Sequence, residues 1–292
     1  MAHRLTKNWA GWLFALPALL FYGVFNFWPI VTAVRLSFYS WDGIGEKTWV
    51  GLKNYIAVFN QPELLSSLIH AFYLIIFFSF IPVAFGLISA AIIRQMENKV
   101  MGTLARTLLF LPQIIPGAAA AVAWTWMYSD TGLVNQLLTA IGLHSIARPW
   151  LGSFSWSLTA VGFIGTWLST GFCTLLLMSG IGKIDVSLYE AAQIDGAGAI
   201  AQFRMVTIPG LKQEIGVALT LTIISALASF DVVYLSTGGG PGYQTTVPGT
   251  EVYNLAFVNG TIGAACALGV VLSLVVNAVV IPLQRLFQTK SS

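Results

Sequence analysis

Ser187 and Glu190 stand three residues apart at the head of the segment SLYEAAQIDGAGAIAQFRMVTIP, residues 187–209. This is the S-x-x-E pattern, in which each side chain can satisfy an orphan backbone donor at a helix start. Behind it, Leu188, Ala191, Ala192 and Asp195 recur at helical spacing and put one leucine and two alanines on one shallow face. Gly196 and Gly198 end that helix, because glycine accepts the required turn and weakens a helix interior. Ile200, Phe203 and Val206 predict a second short amphipathic stretch, stopped by Pro209. The expected product is a short helix, a glycine joint and a second helix, held at a membrane surface. Asp231 is the only acidic residue well inside an apolar run. A carboxylate there is costly, so it either faces a cavity or partner, or is reached by water at a helix end.

Groups for bond-breaking are missing. The nearest approach to a phosphate-binding G-x-x-x-x-G-K-[ST] loop, Gly182-Lys183-Ile184, lacks the first glycine and the hydroxyl. No G-x-S-x-G, S-x-x-K or HExxH pattern occurs, and no nucleophile, base and metal set can be assembled. No catalytic residue and no metal site are expected, and this chain is not expected to hydrolyse ATP. His70 and His144 lack metal-like spacing, with His70 read as a satisfied helix-end residue. Cys173 and Cys266 lie inside apolar runs, which excludes a disulfide scaffold or a four-thiolate site.

The elements that must position these groups are set by composition. Of 292 residues, 57% are hydrophobic and only 9% charged, with a mean hydropathy of +0.79. Soluble domains carry about 25% charged residues, so this chain belongs in a bilayer. A dispersed net charge of +3 gives no footprint for nucleic acid. The run from Trp9 to about Val34 is too long for a signal peptide, contains Pro17 and Pro29, and has no small-residue cleavage site. Five more runs reach the ~20 residues that a crossing needs, near residues 67–93, 107–128, 155–180, 215–235 and 260–283.

Six crossings put both termini on one side. Arg4, Lys7, Arg94, Lys99, Arg106, Lys183, Arg204, Lys212, Arg285 and Lys290 share that side, against Arg35, Lys47, Lys53 and Arg148 on the other. The positive-inside rule then makes both termini and the 183–210 loop cytoplasmic. The reading is an all-α polytopic membrane protein of six helices. It is divided into residues 1–66 (first helix and external segment), 67–284 (a five-helix core with the loop 183–210) and a tail, 285–292.

Glu190-Ala191-Ala192, three residues, Gly196, nine residues and then Val206-x-Ile208-Pro209 resembles the EAA loop of bacterial ABC importer permeases. That family's pattern ends Ile-x-Leu-Pro, and the two substitutions keep its apolar character. An ordinary capped loop between two membrane helices is the plain alternative for the triplet alone. Arg106, Leu111-Pro112, Pro116, Trp124, Trp126, Gly132 and Asn135 resemble the third-helix region of maltose-type sugar permeases. A proline-kinked helix with interfacial aromatics explains those residues without a ligand. Phe230-Asp231 followed by Thr237-Gly238-Gly239-Gly240-Pro241 resembles the Phe-Asp and external glycine-rich loop of the same carbohydrate branch.

The resemblance implies a type I ABC importer permease fold in a bacterial cytoplasmic (inner) membrane. It implies transport of a sugar or sugar derivative by alternating access. Expected partners are a second permease subunit, two ATP-binding subunits carrying ATP and Mg, an extracytoplasmic solute-binding protein and the lipid bilayer. By the same resemblance Glu190, Ala191, Ala192, Asp195 and Gly196 couple to the ATPase. Asp231, Tyr234 and Trp167 are candidates for the substrate pathway. A secondary transporter driven by an ion gradient, with Asp231 as coupling carboxylate, is the alternative.

Overall fold

The computed structural model describes residues 2–96 and 98–287, and of residues 2–10 the backbone only. Lys290 and most of the expected tail 285–292 lie outside the described residues, as do the side chains of Arg4 and Lys7. Among the described residues the architecture is all-α apart from one two-stranded ribbon, in which Tyr39 pairs with Trp49 and Ser40 with Thr48. Four helices among the described residues are long and apolar enough to cross a membrane: Gly11–Leu36, Pro62–Gln95, Ser157–Ile181 and Ile262–Phe287. Two bent pairs bring the number of possible crossings to six: Lys99–Ile114 with Gly117–Met127, and Ala199–Gly210 with Lys212–Leu227.

Two of the expected runs are therefore not single rods. The run 107–128 breaks at Ile115 and Pro116, with 98° between its halves. Pro116 cannot donate a backbone hydrogen bond and forces Ile115 into extended backbone (φ −75°, ψ 125°). The run 215–235 is two helices, Lys212–Leu227 and Asp231–Ser236, separated at Ala228–Phe230. Neither proline nor glycine marks that second break. Gly249 fits so closely against it that a Cβ there would stand 2.7 Å from the Ser229 carbonyl oxygen.

Prolines inside the continuous helices are absorbed in another way. The helix widens to i→i−5 hydrogen bonding just before Pro29, Pro82 and Pro209, with Trp28 N–H donating to Gly23, Ile81 N–H to Ile76 and Ile208 N–H to Phe203. Pro209 thus does not stop the second stretch of the loop; the chain stays helical to Gly210 and turns at Leu211. Pro82 leaves no donor for the carbonyl of Phe77, five residues back, and the Thr166 hydroxyl supplies one at 2.6 Å.

The chain forms two compact units. In the first, residues up to Gln61 with Val252–Val271, the ribbon docks on the start of the last helix. Ile262 N–H donates to the Trp41 carbonyl at 3.0 Å, and the Asn54 amide donates to the carbonyls of Ser37 and Tyr39 at 2.8 and 2.9 Å. The second unit, Pro62–Glu251 with the remainder of the last helix, is built around Ser157–Ile181. Leu74, Val161, Ile164, Cys173, Ile223 and Val233 fill its core. Gly165 meets the ring of Phe78 and Gly171 meets the backbone of Leu109, where an added Cβ would fall 2.1 Å away in each case. Small residues set the helix spacing there. His70 sits inside Pro62–Ile75, its Nδ1 2.9 Å from the Thr246 carbonyl oxygen.

Candidate functional site

The segment after the helix Ser157–Ile181 folds much as its spacing requires, with one correction at its start. The helix Val186–Ile194 is capped by Asp185, whose carboxylate accepts the Ser187 N–H at 2.9 Å. Ser187 is the second residue of the helix, so the expected Ser187–Glu190 capping box is replaced by an aspartate cap. Aspartate and serine are both good caps. The tight turn Gly182–Ile184 makes Asp185 the first residue in extended backbone, and it takes the role. The Ser187 backbone N–H, and after it the Ser187 side chain, hold the Asp185 carboxyl below its ordinary range. That contribution is present above the ordinary carboxylate pKa and is lost as pH falls through the lowered folded value.

The other end closes in a Schellman motif. Gly196 has φ +81°, its N–H donates to Gln193 O at 3.0 Å, and Ala197 N–H donates to Ala192 O at 2.9 Å. The four-residue step from Ala192 to the glycine is what this 6→1 closure needs. Tyr189 holds the helix in place. It is 5% exposed, its hydroxyl is 3.0 Å from Thr207 Oγ1, and the Arg94 guanidinium lies over its ring at 3.4 Å. The lysine that begins the loop is paired too, Lys183 Nζ with Glu214 Oε1 at 3.0 Å.

Much of what remains outward is apolar. Glu190, Ala191, Asp195 and Gly196 are exposed and Ala192 is half-buried. Around them Val186, Leu188, Ile200 and Ile194 are exposed, Ile194 at 86%. Tyr189 and Asp185 escaped the sequence reading. The usable signal was that the ring of Tyr189 carries a hydroxyl, which seeks a partner when buried.

A second feature lies where both broken helices face the same space. A cleft of about 300 Å³ is lined by Gln113, Gly117, Ser169, Ser225, Ser229 and Asp231, among others. Leu168 and Phe78 also border it. They mark the middle of Ser157–Ile181 and of Pro62–Gln95, so the cleft sits halfway along both rods. Asp231 opens the helix Asp231–Ser236, accepts the Val232 N–H at 2.9 Å and lies against Gly117, where a Cβ would stand 2.2 Å from its Oδ2. The Ser229 side chain, in a residue only 6% exposed, has no hydrogen-bond partner.

Of the three pathway candidates, Asp231 borders this cleft. Trp167 adjoins its Leu168 in sequence and packs edge-on to Trp124 at 5.7 Å, while Tyr234 stacks on Phe230 at 5.1 Å, one turn beyond Asp231. Ser229 and Gln113 were not singled out in the sequence. The break that turns them inward has no local signature at Ser229.

Residues 82–292 match the family described as binding-protein-dependent transport system inner membrane component. The chain is 36% identical over 280 residues to a probable ABC transporter permease of Bacillus subtilis, YurN, covering 95% of this chain and 96% of that protein. It is 36% identical over 241 residues to the trehalose/maltose permease MalF of Thermococcus litoralis, covering 81% and 79%. With the lactose permease LacF of Rhizobium radiobacter it shares 33% over 252 residues, covering 85% and 83%. Among solved structures, a chain of a bacterial ABC transporter for import of the acidic polysaccharide alginate superposes with a TM-score of 0.84 at 21% identity, covering 99% of both chains.

Proposed function

The chain belongs to the family of binding-protein-dependent transport system inner membrane components, and on that premise we propose that it is the transmembrane permease subunit of an ATP-driven importer for a sugar or sugar derivative. It is a membrane protein of the inner membrane. The trehalose/maltose and lactose permeases among its relatives support the solute class. The solved alginate importer was also captured with its pentasaccharide-bound periplasmic protein, which supports a solute-binding partner here. Six crossings with both termini cytoplasmic, a second permease subunit and two ATP-binding subunits complete the reading.

The observation that carries the mechanism is the helix Val186–Ile194. It is closed at both ends and pinned through Tyr189, and it presents small and apolar residues outward. Such a helix moves as one body when a partner grips it. In this mechanism the partner subunits bind ATP and Mg, and their closure displaces Glu190–Gly196. The displacement passes through Tyr189 to Thr207, just before the bend at Leu211, and to Arg94 at the end of Pro62–Gln95. The cleft between the broken helices then opens alternately to each side. Its hydroxyls and the Asp231 carboxylate suit a guest rich in hydroxyl groups, and discontinuous helices at mid-depth are where transporters place their sites. Tyr234 and Trp167 flank the pathway.

Solute uptake by cells carrying Ala192→Trp or Glu190→Lys tests this. Uptake should fall to background while the chain stays in the membrane, and normal uptake in both variants removes the loop from the mechanism. Ion-coupled transport through Asp231 makes the opposite forecast on another axis, namely uptake abolished by a protonophore in ATP-replete cells. Family membership speaks for the importer.

A further inference from the structure

We propose that the cleft between the end of Pro62–Gln95, the start of Lys99–Ile114 and the end of Ser157–Ile181 holds the phosphate headgroup of an anionic phospholipid. The cleft has a volume of about 450 Å³. Arg94, Lys99 and Arg106 line it, and no acidic residue among the described ones does. Lys99, Gly102, Thr103 and Arg106 recur at i, i+3, i+4 and i+7 along one helix, so a single face delivers two of the three cations and the Thr103 hydroxyl. Arg94 comes from the last turn of the neighbouring helix.

None of the three cations belongs to an ion pair among the described residues; the pair found there is Lys183–Glu214. Arg94 is held over the Tyr189 ring, which leaves its N–H groups to bind an anion. The first-turn amides of Val100 and Met101 are already taken by the Asn98 side chain at 2.9 and 3.2 Å, so side chains rather than the helix terminus must bind the headgroup.

The remaining walls argue for a lipid over a free anion. Ile93, Met178 and Ile181 make the interior apolar. Arg106 lies seven residues beyond Lys99, about 10 Å along the helix axis. A phosphodiester held between them would leave its chains against the apolar wall of Ile93, Met178 and Ile181. Basic pockets between membrane helices recognise anionic headgroups in this way. The inference needs these helices to sit in a bilayer, and it depends neither on the sugar nor on the ATPase. Because Arg94 also grips Tyr189, an occupied site steadies the anchor of the coupling helix.

The test is lipid retention by the full-length chain, purified with whatever partners accompany it in nanodiscs mixing phosphatidylglycerol with phosphatidylcholine and released into native mass spectrometry. The wild-type chain is expected to keep phosphatidylglycerol in preference to phosphatidylcholine. Lys99→Gln and Arg106→Gln should each cut that preference about fivefold, since one basic residue near an anionic surface contributes ~1 kcal/mol. Lys99→Arg should retain it. Equal retention of both lipids, or a preference untouched in the Lys99→Gln/Arg106→Gln double variant, overturns the site. So does displacement of the lipid by millimolar inorganic phosphate, which would mark a free-anion pocket.

Discussion

The coupling loop and the mid-helix cleft are both interruptions of helix, and they leave opposite things undone. In the loop every local polar requirement is met by the chain itself: Asp185 caps the start, the Schellman bonds at Gly196 close the end, and Tyr189 is bonded to Thr207. What it leaves uncovered is apolar, Val186, Leu188, Ile194 and Ile200. In the cleft apolar side chains such as Phe78, Leu168 and Ile224 share the walls with polar ones, and a hydroxyl, Ser229, lacks a partner beside the Asp231 carboxylate. The first region wants a protein surface and must not deform. The second wants a polar guest and is built where two helices are already broken. In the proposed mechanism force is applied at the one and spent at the other.

The largest effect expected from breaking this contrast is at Ala192. A tryptophan there should abolish uptake by blocking close approach to a partner, with the amount of chain in the membrane unchanged by immunoblot. Next comes a pair of alanine substitutions at glycine. Gly117→Ala drives a methyl against the Asp231 carboxylate, where the gap is 2.2 Å, and should lower uptake about tenfold or more. Gly198→Ala in the loop has open space and extended backbone, and should leave uptake within twofold. Equal effects at the two glycines would erase the distinction between the regions.

A smaller effect with a sharper sign is expected at Ser229. Replacing an unpartnered buried hydroxyl by alanine should stabilise the empty protein by about 1 kcal/mol, while the lost bond to solute weakens apparent affinity about threefold to tenfold. Thermal unfolding and solute-dependent uptake, measured on the same variant, should therefore move in opposite directions. Smallest is Tyr189→Phe, which keeps the ring under Arg94 and loses the Thr207 bond, about 1 kcal/mol. It should cost uptake less than Tyr189→Ala, which loses both anchors.

Much of this was legible in the sequence, and the exceptions share a cause. Hydrophobic runs gave the long helices, and the fixed step from Ala192 to Gly196 is a local backbone closure that spacing can express. Local signals were ambiguous at the cap, where Asp185 and Ser187 are equally good candidates and the preceding turn decides between them. Proline gave mixed messages. Pro116 breaks a helix, whereas Pro82 and Pro209 are absorbed in widened turns, and the outcome depends on what a neighbour such as Thr166 offers the freed carbonyl. The break at Ala228–Phe230 has no local marker, and the residue packed against it, Gly249, comes from elsewhere in the chain. The cleft was therefore harder to foresee than the loop, and Ser229 went unnoticed beside Asp231.

The most direct test of the central claim places a photo-crosslinking amino acid at Ala191 in the full-length chain, expressed with its own partners. Irradiation should join the chain to an ATP-binding subunit, and uptake should stop in proportion to the joined fraction. A chain that carries out uptake, purifies without any ATP-binding subunit and forms no such adduct would contradict the account.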